Sequence, residues 1–210
     1  MASFKDFTKE EVNRIIERSW KAFEAYRKYP LQKRAAFMRA IATEMEKGAK
    51  EVVPIAMKET HLPEPRLQSE FTRTLFQLNS YAEACERGSW LEARIDMAIP
   101  DRNPPRPDIR KTMIPLGPVA VFGVSNFTFA YSTAGGDTAC ALAAGCSVVV
   151  KAHPAHAATS EWVANAVHRA ARQLNMPDGI FGHVHGAGFE TGQTLVTHPY
   201  IKAVGFTGSY

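Results

Sequence analysis

Long apolar runs are absent from this sequence, and so is any framework of paired cysteines. No stretch approaches the roughly 18 apolar residues that a membrane-spanning helix needs, so no membrane partner is expected. The opening Met-Ala-Ser-Phe-Lys-Asp lacks the apolar core of a secretory leader. The three cysteines, Cys85, Cys140 and Cys146, show no pairable spacing. A disulfide-stapled fold is therefore excluded, and a reducing compartment, the cytoplasm, is the expected location. Charge of one sign is also scarce: 25 basic against 21 acidic side chains leave +4. That balance gives no electrostatic footprint for nucleic acid, which is not expected as a partner.

What is present is unevenly spread. Apolar residues make up 45% and charged residues 22% of 210 positions, the proportions of an ordinary globular chain that can bury a sizeable core in one domain or two small ones. After Lys111 there are only four basic residues (Lys151, Arg169, Arg172, Lys202) and four acidic ones (Asp137, Glu161, Asp178, Glu190), whereas twelve of the 14 glycines lie there. The expected organisation is a charge-rich helical region over 1–110 and a glycine- and alanine-rich βα region over 111–210.

In the first region Thr8 and Glu11 form a capping-box pattern. Val12, Ile15, Ile16, Trp20, Phe23 and Tyr26 follow at helical spacing, and Pro30 is the expected stop. Ala35 to Met45 mark a second helix ending near Gly48. A third runs through Val52, Val53 and Ala56 to the His61-Leu62-Pro63 break, with Pro54 expected in its first turn. A fourth carries Leu67, Phe71, Leu75, Leu78 and Ala82 from Pro65 to Gly88. Residues Asp101 to Pro107 read as an extended linker. This region is expected to be all-helical, with no constellation of catalytic groups, its charges forming a solvated face.

The second region alternates. Strands are expected at Val119–Val124, Ser147–Val150, Phe181–His185 and Lys202–Phe206. Helices are expected between them at about 130–144, 159–174 and 188–197. Uninterrupted apolar strands joined by helix-length segments imply a doubly wound, mostly parallel sheet covered on both faces. Ligands bind such sheets at the carboxyl ends of the strands. In the stretch Pro115 to Lys151, Asn126 is the only amide and Lys151 the only cation, and both are expected just past a strand end.

Pro115-Leu116-Gly117-Pro118-Val119, Ser125-Asn126-Phe127, Ala141-Leu-Ala-Ala-Gly-Cys-Ser-Val-Val-Val-Lys151 and Gly205-Phe206-Thr207-Gly208-Ser209 together resemble the aldehyde dehydrogenase superfamily over nearly the whole chain, from about Thr8 onward. The resemblance implies an α/β fold in which an N-terminal helical part precedes a Rossmann-like sheet, here incomplete at its C-terminal end and without the catalytic domain. It implies NAD(P)-dependent oxidation of an aldehyde to a carboxylic acid through a cysteine thiohemiacetal, in a homo-oligomer. Within the superfamily, Gly123-Val-Ser-Asn-Phe-Thr-Phe-Ala130 and Val150-Lys-Ala-His-Pro154 are most similar to the NADP-using group, which includes 2,5-dioxovalerate and fatty aldehyde dehydrogenases. The small-molecule substrate expected is 2,5-dioxovalerate.

The residue roles follow from the same resemblance. Asn126 matches the amide that stabilises the oxyanion; read from its residues alone it is a turn former first. The family's usual tryptophan and proline around this asparagine are replaced by Ser125 and Thr128. Lys151 matches the lysine that bonds a ribose hydroxyl, and otherwise would snorkel to solvent. At Pro154 the family's NAD-preferring members often carry a glutamate, whose absence permits a 2′-phosphate, with His153 nearby to approach it. Gly186-Ala-Gly188-Phe-Glu-Thr-Gly192 misses the dinucleotide fingerprint by one residue, so Gly188 is the weaker phosphate candidate and Gly208 with Ser209 the stronger.

None of the three cysteines matches the family's nucleophile, which, like its general-base glutamate, lies downstream of the Phe-Thr-Gly-Ser motif. The chain alone is therefore expected to be inactive. His183 and His185 share a strand face but lack a third ligand at convincing spacing, so a structural role rather than a metal site is expected. Two alternatives remain open: a nucleotide-binding module without redox chemistry, and a scaffold that keeps the fold without the site. Substitution of Asn126 or Lys151 would leave the scaffold's function untouched.

Overall fold

The computed structural model describes residues 4–208. Helix α1 (Lys9–Tyr26) starts with the full capping box: the Glu11 N–H donates to Thr8 Oγ1 (3.3 Å) and the Thr8 N–H to Glu11 Oε2 (2.8 Å). Helices α2 (Leu31–Lys47), α3 (Ala49–Thr60) and α4 (Glu64–Arg87) follow, with Gly48 and Gly88 as their punctuation. Pro30 does not end α1; it caps the start of α2. Pro54 lies inside α3 rather than in its first turn, so the helix forgoes the hydrogen bond that an N–H at that position would make.

The first region is not all-helical. Strands β1 (Arg94–Asp96) and β2 (Ile109–Lys111) pair antiparallel, and the expected linker at 101–107 is the far end of this ribbon. All six strand residues are exposed. Ile95, Met97 and Ile99 do alternate here, but each strand is only three residues long, too short for that pattern to stand out.

Strands β3 (Val119–Phe122), β4 (Val148–Lys151), β5 (Phe181–Val184) and β6 (Ala203–Phe206) form one parallel sheet in the order β5-β4-β3-β6. The chain moves outward from β3 to β5 and then returns to the other side of β3 for β6. The carboxyl ends of β3 and β6 therefore flank a topological switch point. Helices α5 (Gly136–Ala144), α6 (Ala157–Gln173) and α7 (Phe189–Thr197) make the crossovers. Strand β3 stops two residues short of Val124, and Lys151 is the last residue of β4 rather than the first residue beyond it.

Both faces of the sheet are covered. Val121, Val148, Val150 and Phe181 pack with α2 to α6, while Ala120, Val149 and Val184 pack with Val12 and Ile16 of α1 and Leu195 of α7. Each fully buried valine contributes about 1.5–3 kcal/mol relative to exposure, so β4 alone fixes the middle of the sheet. The helical region closes on this core through buried polar contacts. Arg34 donates to the Ala144 carbonyl (3.0 Å) and to the Arg27 carbonyl (2.9 Å), and Tyr26 Oη to the Leu142 carbonyl (2.9 Å). Gly145 ends α5 at φ 94°, and an added Cβ there would lie 2.5 Å from Arg34 Nη1. Only glycine accepts both conditions.

Candidate functional site

Two clefts open at the carboxyl ends of the strands. One, about 660 Å³, is lined by Asn126, Tyr131, Thr207, Gly208 and Arg73 of α4. The other, about 790 Å³, is lined by Lys151, Gly188 and the apolar side chains of Phe122, Val196 and Val204. Gly123, His153 and Phe206 belong to both, so the clefts meet across them.

Asn126 sits on a loop that the sheet starts and α4 finishes. The Gly123 N–H donates to the Lys151 carbonyl (3.1 Å), extending the β3–β4 ladder by one bond. His156 Nε2–H donates to the Val124 carbonyl (2.6 Å) from below. Beyond that the partners come from α4 and, at Thr133, from Ser160 of α6 (2.6 Å). Arg66 Nη2 donates to the Asn126 carbonyl (2.8 Å), and Arg73 Nη2 to Tyr131 Oη (2.8 Å). The buried carboxylate of Glu70 accepts from the Phe129 and Ala130 N–H groups at 2.6 and 3.0 Å. The backbone of Asn126 is thus tethered, while its side chain is exposed and makes no hydrogen bond among the described residues. The amide does not fold back on its own turn.

Helix α5 starts at Gly136 and not near Ala130. Residues 130–135 turn instead: the Gly136 N–H donates to the Ala130 carbonyl (3.0 Å) and the Gly135 N–H to the Ser132 carbonyl (3.0 Å), and a Cβ at Gly135 would collide with the Ala130 carbonyl oxygen. Arg66, Glu70, Arg73 and Gln77 follow at steps of four, three and four, a polar stripe along α4. That stripe is the signal from which these residues could have been picked out as other than a solvated face.

In the second cleft, burial pushes the Lys151 ammonium below its ordinary pKa, with the Asp6 carboxylate opposing. His153 is likewise lowered, by burial first, then by His156 and Lys151. Its Nδ1 accepts from the Ala155 N–H (3.1 Å), so in the neutral ring the proton sits on Nε2. Gly188 caps the start of α7, and an added Cβ there would meet nothing within 4 Å. The neighbouring Ala187 N–H is already taken by the Asp6 carboxylate (3.1 Å). Gly208 ends the described chain beside the Phe206 ring, 2.7 Å from where its Cβ would be. Ser209 lies outside the described residues.

The structure brings Asn126, His153 and Gly208 together, and Lys151, His153 and Gly188 together. It brings no cysteine to either cleft. Cys85 and Cys146 are buried, Cys140 is exposed on α5, and burial pushes the Cys85 thiol up to about 11.

His183 and His185 line neither cleft, but the fold supplies the third group that their spacing did not: Glu161 at the start of α6. Glu161 Oε2 lies 3.3 Å from His183 Nδ1 and 2.9 Å from His185 Nε2. The hydrogen bonds to His183 and His185 hold the Glu161 carboxyl at about 2. On its other side His183 Nε2 meets Ser160 Oγ (2.8 Å), which meets Thr133 Oγ1 (2.6 Å). The network ties the end of β5 to α6.

Comparison with known proteins places the chain. Its residues 1–210 match the model of the aldehyde dehydrogenase family. It is 50% identical over 200 residues to alpha-ketoglutaric semialdehyde dehydrogenase 2 of Azospirillum brasilense, covering 95% of this chain and 38% of that protein. It is 47% identical over 207 residues to the alpha-ketoglutaric semialdehyde dehydrogenase of Acinetobacter baylyi, covering 98% of this chain and 39% of that protein. Among solved structures, the NAD-dependent benzaldehyde dehydrogenase of Corynebacterium glutamicum superposes with a TM-score of 0.83 at 26% identity, covering 100% of this chain and 42% of that one. The chain thus spans under half the length of the relatives it matches, and over that span it belongs to the aldehyde dehydrogenase family.

Proposed function

We propose that this chain supplies the cofactor-binding part of an NADP-dependent aldehyde dehydrogenase that oxidises 2,5-dioxovalerate (α-ketoglutaric semialdehyde) to 2-oxoglutarate. Residues 1–110 form its helical portion and 111–210 its βα portion. The observation that carries the reading is the junction of two clefts at the switch point, one holding an unpartnered Asn126 amide and the other a half-buried lysine. The substrate follows from the two semialdehyde dehydrogenases at 50% and 47% identity.

The residues present fit an NADP molecule. The Lys151 cleft has apolar walls for a base and glycine at Gly188, where backbone can approach a phosphate closely. No carboxylate lines it, and the nearby Asp6 carboxylate is engaged by the Ala187 N–H, which leaves room for a 2′-phosphate. Lys151 would hold the ribose or its phosphate. His153, with its Nε2 proton free to donate, would hold the 2′-phosphate. Gly208 and Ser209 would receive the pyrophosphate. When bound, the cofactor supplies a hydride acceptor.

The chain's own contribution to the chemistry is electrostatic. Asn126, its carbonyl pinned by Arg66, presents its amide N–H to the oxygen that gains charge as a thiolate adds to the aldehyde. The thiolate and the general-base carboxylate belong to the remaining length of such an enzyme. Assembly as a homo-oligomer agrees with the exposed Ile95, Met97 and Ile109 of the β1–β2 ribbon. Three free cysteines agree with a cytoplasmic location.

Isothermal titration of the chain with NADP and NAD tests this. NADP is expected to bind more tightly than NAD, with Lys151→Met weakening NADP at least about tenfold, a loss of about 1.4 kcal/mol. No aldehyde turnover is expected from the 210 residues alone. Tighter binding of NAD would overturn the NADP assignment; failure to bind either would overturn the cofactor site.

A further inference from the structure

Arg73 and Arg66 are the two cations of α4 that hold the Asn126 loop, and neither has a counter-ion among the described residues. They stand seven residues apart on α4, two helical turns, on the side that meets the loop. Each is fixed twice by that loop. The Arg73 guanidinium lies 5.2 Å from the Tyr131 ring centroid and donates to its hydroxyl. The Arg66 guanidinium lies 5.4 Å from the Phe127 ring centroid and donates to the Asn126 carbonyl.

The described structure gives Arg18, Arg39 and Arg169 carboxylate partners at 2.6–2.9 Å, and gives Arg66 and Arg73 none within 4.0 Å. Glu70, between them in sequence, is buried and spent on the backbone of Phe129 and Ala130. The cleft that Arg73 lines contains no acidic side chain. A guanidinium carries five donors, and each of these arginines uses one in the bonds above. The rest remain for a planar anion.

We propose that Arg73, supported by Arg66, is the subsite for the carboxylate of an anionic aldehyde, selecting short-chain ω-oxo acids over uncharged aldehydes. The inference rests on the reading of the Asn126 cleft as the place where the aldehyde is oxidised, and adds to it the residues that choose the substrate. Arginine suits the task because its rigid fork pairs with both oxygens of a carboxylate. Stacking on Tyr131 holds the fork in register with Asn126, five residues earlier on the same loop. Arg27 and Arg169 also lie over aromatic rings, of Phe23 and Trp162, but neither is bonded to the Asn126 loop and each has a carboxylate within 4.0 Å. The aldehyde end would thus be held against the Asn126 amide and the acid end against α4.

The test is titration of the chain with 2-oxoglutarate, the carboxylate product, and with its uncharged dimethyl ester, alongside NADP. The dianion is expected to bind and the ester not. Arg73→Met is expected to weaken 2-oxoglutarate at least about tenfold and Arg66→Met about threefold. NADP binding is expected to stay unchanged in both variants, which also shows that they are folded. Lys151→Met should leave 2-oxoglutarate binding intact. Equal binding of the ester, undiminished binding in Arg73→Met, or loss in Lys151→Met instead would overturn the subsite. If NADP binds and 2-oxoglutarate does not, the subsite fails while the cofactor reading stands. If NADP itself does not bind, both fall.

Discussion

The helical region through Arg87 and the sheet region after Lys111 differ in almost every respect. The first is charged, nearly free of glycine, and built of long helices. The second is nearly uncharged, rich in glycine, and built of four-residue strands. Yet the Asn126 loop is sheet-region sequence held in shape by helical-region side chains. The strands set where the loop begins, through Gly123 and Val124; Arg66, Glu70 and Arg73 decide where it goes. A charge-rich helix beside a glycine-rich loop therefore acts here as a jig for that loop.

The comparison is broken most decisively at Glu70. Replacing Glu70 by alanine removes the acceptor of two buried N–H groups, and is expected to cost about 2–4 kcal/mol in urea unfolding. Glu70→Gln keeps one acceptor and should cost less than half of that. If the sheet region shaped its own loop, both variants would unfold like the parent. Gly145→Ala should cost about 1–3 kcal/mol, since it forces a side chain into φ 94° and against Arg34, the residue that joins α2 to the end of α5. Pro54→Ala, confined to the helical region, should instead stabilise by about 1–2 kcal/mol by restoring a helical hydrogen bond, with no effect on ligand binding.

A smaller effect is expected with pH at the junction of β5 and α6. The Glu161 carboxyl is held at about 2, below its ordinary 4.5. Its contribution is therefore complete above about 4.5 and is lost as pH falls toward 2. His183, buried and lowered from 6.5, has the same sign: the unfolded chain takes up its proton first as pH falls through 6.5. The melting-temperature advantage of the parent over Glu161→Gln should shrink between pH 5 and pH 2, each roughly bracketing the titration. An advantage constant over that range would refute the assignment. Least of all is expected from Asp178→Ala, which removes the exposed Arg18–Asp178 pair and should change stability by under about 0.5 kcal/mol.

Much of the fold was legible because it is local. Thr8 and Glu11 announce α1, Gly48 and Gly88 mark where helices stop, and the unbroken Val148-Val149-Val150 announces a strand covered on both faces. The β1–β2 ribbon escaped because its strands are three residues long, too short for the alternation of Ile95, Met97 and Ile99 to stand out. Helix α5 is shorter than its composition suggests because residues 130–135 close on themselves in turns, with Gly135 packed against the Ala130 carbonyl where no side chain fits. Asn126 and Lys151 stood out as the lone amide and cation of an apolar segment, Gly188 through a near-miss of the dinucleotide fingerprint, and His153 and Gly208 through the family resemblance; the sheet's switch point gathers them into two joined clefts. Arg66, Glu70 and Arg73 were hidden for the opposite reason: in a charge-rich helix a functional charge looks like its neighbours. Glu161 stayed unpaired with His183 and His185 because α6 and β5 meet only in the folded chain.

The most direct test of the joined clefts is a crystal structure of the chain with NADP. The 2′-phosphate is expected beside Lys151 and His153, with the dinucleotide passing Phe206 and its other end in the cleft with Asn126. A cofactor bound elsewhere, or one confined to a single cleft with Asn126 turned into its own loop, would contradict it.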